Sequence, residues 1–95
     1  MKMYGDTQVE ELVETDIETG TGGSLVLFND EVNTFDFVIE SLINVCGHDP
    51  LQAEQCTIIV HYKGKCSVKD GTWEKLEPLC SALLDRGLTA EIQTS

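Results

Sequence analysis

The side chains here that could carry chemistry are few, and most of them cluster at turns. Asn29-Asp30-Glu31 directly follows the apolar run Leu25-Val26-Leu27-Phe28. Asn and Asp favour turns by hydrogen-bonding their own backbone, so turn formation is the first role these residues suggest. His61 stands between Val60 and Tyr62, where a structural histidine is the simplest reading. The sequence contains no G-x-S-x-G, no Gly-rich phosphate loop and no H-E-x-x-H. With only two histidines, no Ser/His/Asp or Cys/His set can be assembled, so no catalytic residue is predicted and the chain is not expected to be an enzyme. Cys46, His48, Cys56, His61 and Cys66 could be pooled as metal ligands. Structural zinc sites use ligands paired at tight spacing, and only Cys46-Gly47-His48 meets that. Neither a metal nor another cofactor is expected. The four cysteines, completed by Cys80, are irregularly spaced and read as buried thiols of a reducing cytosol.

Elements that would position these residues can be read from periodicity. Leu25–Phe28 suits a buried strand. Asn33 is placed to cap a helix whose third residue, Asp36, is acidic. Phe35, Val38, Ile39, Leu42 and Cys46 fall on one stripe of that helix, and Gly47 ends it. Asp49-Pro50 opens a second helix with Gln52 three residues after the cap. Leu51, Ala53, Cys56, Ile59 and Val60 supply its expected buried side, and Gly64 stops it. Lys65–Lys69 reads as a short strand, with Asp70-Gly71 turning the chain. Thr72–Arg86 reads as a third helix with Leu76, Leu79, Cys80, Leu83 and Leu84 inward and Gly87 at its end. Pro78 removes a backbone hydrogen bond inside it and should kink it or delay its start. Leu88–Ile92 alternates as a closing strand. The order β-α-α-β-α-β, with three strands and three helices, predicts a two-layer α/β domain.

Composition narrows the partners. The 95 residues fit one small domain. The 17 acidic against 6 basic residues give a net charge of −11, which argues against nucleic acid or an anionic membrane as partner. No apolar run approaches the roughly 20 residues that span a bilayer. The start is acidic and lacks the features of a signal peptide, so a cytoplasmic location is expected. Residues 1–23 contain few large apolar side chains and end in Thr19-Gly20-Thr21-Gly22-Gly23, which predicts a flexible acidic extension ahead of a folded domain over residues 24–95. Val9, Leu12, Val13 and Ile17 recur at helical spacing within that extension.

Two segments together go further. Leu27-Phe28-Asn29-Asp30-Glu31-Val32-Asn33-Thr34-Phe35-Asp36-Phe37-Val38-Ile39 resembles the signature of the ClpS family of N-degron adaptors. There a strand runs into Asn-Asp-Asp/Glu and then a helix. Val60-His61-Tyr62-Lys63-Gly64-Lys65 is similar to that family's Val-His-x-x-Gly segment, and Gly87-Leu88-Thr89-Ala90-Glu91-Ile92 to its last strand. The resemblance covers Ser24 to Ile92. It implies a ClpS-like fold with a three-stranded antiparallel sheet. It also implies that Asn29, Asp30 and His61 bind the α-amino group of a substrate's first residue, supported by a turn containing Glu31 and Asn33. Phe35, Val38, Val60 and Leu88, with Thr57 at the gate, would form the pocket for a bulky first side chain. The implied partners are substrates bearing a free N-terminus and the N-terminal domain of a Clp AAA+ unfoldase, ClpA- or ClpC-like, which the third helix would help to dock. The extension would then serve delivery, not capture.

This chain departs from the family pattern at named places. Glu31 stands where Asp is common, Asn33-Thr34 replaces a frequent Thr-Pro, and Thr57 occupies a position often held by methionine. A protein-interaction domain of the same fold, with no preference for free N-termini, is the alternative reading.

Overall fold

A computed structural model describes residues 22–94. The helical spacing of Val9 to Ile17, most of the predicted extension and Ser95 lie outside the described residues. The strand β1 spans Gly22–Phe28, followed by helices α1 (Phe35–Cys46) and α2 (Pro50–Lys63), strand β2 (Lys65–Thr72), helix α3 (Trp73–Asp85) and strand β3 (Thr89–Thr94). The sheet is antiparallel throughout, in the order β2-β1-β3. This is the two-layer β-α-α-β-α-β arrangement expected. Among the described residues no helix is long and apolar enough to cross a membrane.

Leu25 and Leu27 of the central strand are fully buried and pack with Leu42, Leu76 and Leu83 in the core between sheet and helices. Burying each such side chain contributes roughly 1.5–3 kcal/mol. The two chain neighbours of β1 differ in regularity. Against β3 the register is continuous from Gly23–Thr94 to Phe28–Thr89, whereas against β2 it shifts between Leu25 and Val26, skipping Val68. Val68 is thus the extra residue of a bulge. Its carbonyl accepts a hydrogen bond from Nε2 of buried His48 at 2.7 Å, which fixes the proton on that nitrogen. Nδ1 of His48 is buried without a partner. Lys69, beyond the bulge, donates through Nζ to the Cys46 carbonyl at the end of α1 (3.4 Å), where a cation complements the helix dipole. Arg86 ties α3 to α1, donating to Oγ of fully buried Ser41 at 3.3 Å and lying 6.0 Å from the centroid of the Phe37 ring.

Several local expectations change. The cap of α1 is Thr34, not Asn33: the Thr34 hydroxyl accepts from the Phe37 N–H at 3.1 Å. Asn33 is unavailable because its side chain is engaged elsewhere. Helix α2 opens as predicted on Asp49, whose carboxylate accepts the Gln52 N–H at 2.9 Å. Its buried stripe, however, is Ala53, Thr57 and Val60, and Leu51 and Ile59 are 65% and 38% exposed. The i, i+4, i+7 stripe of small side chains faces inward because α2 lies close against both α1 and β2. Strand β2 runs on through Asp70-Gly71 to Thr72, since these residues pair with Ser24 and Gly23, and the Ser24 hydroxyl donates to the Asp70 carboxylate. Helix α3 starts at Trp73 on a Thr72 cap and carries Pro78 inside it, so the proline does not delay the start. Leu76 and Leu83 are buried on its inner side, but Leu84 is half exposed. Gly22 and Gly23, assigned above to the extension, belong to β1.

Candidate functional site

The carboxyl end of β1 and the C-terminal turn of α2 are joined by one backbone bond, the Asn29 N–H to the Gly64 carbonyl at 2.9 Å. That carbonyl can face β1 because Gly64 caps α2 in the left-handed region (φ 93°), a conformation glycine adopts without a Cβ penalty. The bond places the turn after β1 beside His61, three residues before the cap.

Asp30 organises that turn. Its Oδ1 accepts the backbone N–H of Val32 at 3.0 Å and of Asn33 at 2.9 Å, and the Asn33 Nδ2 at 3.1 Å. Oδ2 receives Nδ2 of Asn33 alone, at 3.0 Å. Burial opposes ionisation of this carboxyl, but the hydrogen bonds from Asn33, through backbone and side chain, and from Val32 outweigh it. They hold Asp30 below the ordinary value of 3.8. At neutral pH it is a carboxylate with Oδ1 saturated and Oδ2 open to a further donor. Asn33 also donates through Nδ2 to the Gly87 carbonyl at 3.0 Å. One amide therefore bolts the turn to the corner between α3 and β3, next to Leu88.

These contacts close around a cavity of ≈ 400 Å³. Its lining includes Asn29, Asp30, Glu31 and Asn33 from the turn, Phe35 and Val38 from α1, Thr57, Val60 and His61 from α2, and Leu88 before β3. Every site residue named from the sequence thus borders one cavity. Leu27 and Phe28 line it too. The sequence reading left them as plain strand residues, although Leu27 shares its sheet face with core residue Leu25. Thr57, Val60 and Leu88 are buried, whereas Phe35 is 41% exposed at the rim. The Thr57 hydroxyl donates to the Ala53 carbonyl one turn back at 2.7 Å, which satisfies it and leaves its methyl group as the apolar surface. His61 is exposed, and its ring meets Phe35 edge-on at 6.4 Å between centroids and Tyr62 at 5.0 Å. The site is therefore amphipathic, with an ionised carboxylate, an amide and an imidazole at one side and aliphatic walls at the other. It suits a ligand with a cationic hydrogen-bond donor beside an apolar group.

Four cysteines are free thiols, and among the described residues no group of three or more His, Cys, Asp or Glu side chains is placed to hold a metal ion.

The family model described as ATP-dependent Clp protease adaptor protein ClpS matches residues 24–91. The chain belongs to the ClpS family. An ATP-dependent Clp protease adapter protein ClpS from Corynebacterium aurimucosum is 28% identical over 88 residues, spanning 90% of this chain and 79% of that protein. One from Shewanella halifaxensis is 36% identical over 58 residues, or 61% of this chain and 57% of that protein. Among solved structures, Agrobacterium tumefaciens ClpS2 bound to L-phenylalaninamide superposes with a TM-score of 0.69 at 16% identity, covering 80% of this chain and 99% of that one. That likeness establishes the ClpS fold. Membership makes the chain an adaptor of the ATP-dependent Clp protease.

Proposed function

We propose that this ClpS family member captures the free N-terminal residue of protein substrates, when that residue is bulky and hydrophobic, and delivers them to a Clp AAA+ unfoldase. The observation that carries the proposal is the ionised Asp30 carboxylate, with Oδ2 still open, on the rim of an apolar cavity of ≈ 400 Å³. A free α-amino group has a pKa of about 7.7–8.0 and is largely protonated at neutral pH. Its three N–H donors match the carboxylate of Asp30, the side-chain oxygen of Asn29 and a ring nitrogen of His61. An internal amide offers one donor and no charge. The cavity is at the small end of the usual range of roughly 300–1,000 Å³ for ligand sites, so it suits one side chain and not a length of peptide. Leu27, Val38, Thr57, Val60 and Leu88 would enclose that side chain, with Phe35 at the entrance. Agrobacterium ClpS2, which shares the fold, was solved with L-phenylalaninamide, a molecule of the same design: a free amine next to a large apolar side chain.

Delivery is assigned to other surfaces. Residues before Gly22 join the protein at the far end of β1 from the cavity, six residue steps or about 20 Å away. The acidic extension is assigned the handing-over of substrate, the role that the family resemblance implies for it. Exposed Trp73 and Leu84 on α3 suit contact with the N-terminal domain of an unfoldase, ClpA- or ClpC-like, in the cytoplasm where an ATP-dependent protease has its fuel. The proposal is tested by titrating peptides that differ only in their first residue. Phe or Leu should bind, and Gly, Ser or Asp should not; uniform binding would leave only a generic interaction domain.

A further inference from the structure

Behind the cavity, two cysteines that the binding site does not use face each other across the α2–β2 junction. Cys66 is the cross-strand partner of Leu27 in the β1–β2 ladder, so its side chain shares the sheet face that Leu27 turns toward the helices. Cys56 sits on α2 between Ala53 and Val60, at i+3 from one and i−4 from the other, on the border of the stripe turned to the sheet. Both pack against the same core cluster and both are half-buried. Both stand near the reversal that joins the two elements. Cys56 is seven residues, about 10 Å, before the end of α2, and the chain reverses at Gly64 so that Cys66 is the second residue of β2, running back along the helix. The Cys66 thiol donates to the Ser67 carbonyl at 3.5 Å, and it is the side chain that acts most strongly on Cys56, ahead of Cys46. Buried Cys46 is a third thiol nearby, yet the group does not reach the arrangement of a metal site.

We propose that Cys56 and Cys66 are a modification site, forming a reversible intramolecular disulfide in exchange with a low-molecular-weight disulfide of the glutathione type. The Cys66 thiolate attacks one sulfur of the small disulfide, breaking its S–S bond and expelling one thiolate. Cys56, after losing its proton to solvent, attacks the Cys66 sulfur of the mixed disulfide and expels the second. The two protein protons end on the two small thiols, and the protein is oxidised by two electrons as the small disulfide is reduced by two. Burial first, and then neighbouring Cys66, push the Cys56 thiol up to about 12, which makes Cys56 a poor first nucleophile and assigns it the resolving step. Cys46 is buried (3% exposed) and so stays out of the exchange.

The full chain, folded and reduced, is incubated with oxidised glutathione, blocked by alkylation and read by intact mass and tryptic mapping. Lys63 and Lys65 lie between the two cysteines, so trypsin separates them unless a disulfide holds them. The expected result is a protein carrying two alkyl groups fewer than the reduced, alkylated control, residues 3–63 linked to 66–69, and reversal by dithiothreitol. Cys46 shares the first of those peptides, so Cys46→Ser must keep the link, whereas Cys56→Ser must lose it. Should Cys56→Ser fail to fold, Cys66→Ser carries the same expectation. A glutathione adduct that persists on Cys66, a link that disappears in Cys46→Ser, or an oxidant-resistant native protein would each overturn the proposal.

Discussion

Replacing Asn33 by Ala removes the amide that joins the turn after β1 to the corner before Leu88. One N–H is forked over the two oxygens of Asp30 at 3.1 and 3.0 Å, and the other reaches the Gly87 carbonyl at 3.0 Å. A hydrogen bond to a charged group contributes about 1.5–3 kcal/mol and a neutral one about 0.5–1.5. Asn33 is only half-buried, and water can replace part of what is lost, so we expect roughly 1–2 kcal/mol of destabilisation in total. Asp30 keeps its bonds from the Val32 and Asn33 backbone, and Asn29 stays tied to Gly64. The carboxylate therefore remains ionised but less firmly aimed, and affinity for a Phe-initiated peptide should fall about three- to tenfold, equivalent to roughly 0.7–1.4 kcal/mol. Urea denaturation measures the first effect and fluorescence anisotropy the second. Wild-type stability together with wild-type affinity would refute the keystone role of Asn33. Abolished binding at unchanged stability would show that Asn33 touches the ligand itself.

Three further outcomes are expected. Thr57→Met should raise the ratio of Leu- to Ile-initiated peptide affinity, since Thr57 is buried in the cavity wall and a longer side chain there crowds a branch next to the amine; the gain in wall contact is worth up to about 1 kcal/mol for Leu, and an unchanged ratio removes Thr57 as the gate. Deleting residues 1–21 should leave peptide affinity unchanged while blocking degradation in a reconstituted system, and loss of peptide binding would instead make the extension part of the site. On pH, the Asp30 carboxyl has a native value below its unfolded value of 3.8, so its contribution to stability is present above 3.8 and is lost as pH falls through the lower native value; Asp30→Asn should remove this acid limb from a stability–pH titration.

How much was legible follows the range of the interactions involved. The start of α2 could be read because Asp49, Pro50 and Gln52 settle it among themselves. The start of α1 could not: Asn33 and Thr34 are both good caps, and the choice rests on a carbonyl 54 residues away, at Gly87. Asp70-Gly71 carries a strong turn signal, but pairing with Gly23 and Ser24 overrides it, and the reversal moves to the Thr72 cap. The inward stripe of α2 was drawn toward Leu51 and Ile59 by their hydrophobicity, whereas close helix packing favours the smaller Ala53 and Thr57. For the site, periodicity alone placed Phe35, Val38, Val60 and Leu88 in an ordinary core. The resemblance singled them out, and they line one cavity together with Asn29, Asp30 and His61. Leu27 and Phe28 were missed because a short apolar strand does not reveal which of its residues reaches a cavity.

The central claim is that the site reads a positively charged free N-terminus through Asp30, and it is tested most directly by comparing two Phe-initiated peptides, identical except that one is acetylated. The account predicts that acetylation costs about 2–5 kcal/mol, the range for truncating one partner of a buried charge pair, so that binding nearly disappears. Asp30→Ala should bring the free peptide down to the same level. Equal affinity for the free and acetylated peptides would contradict the account.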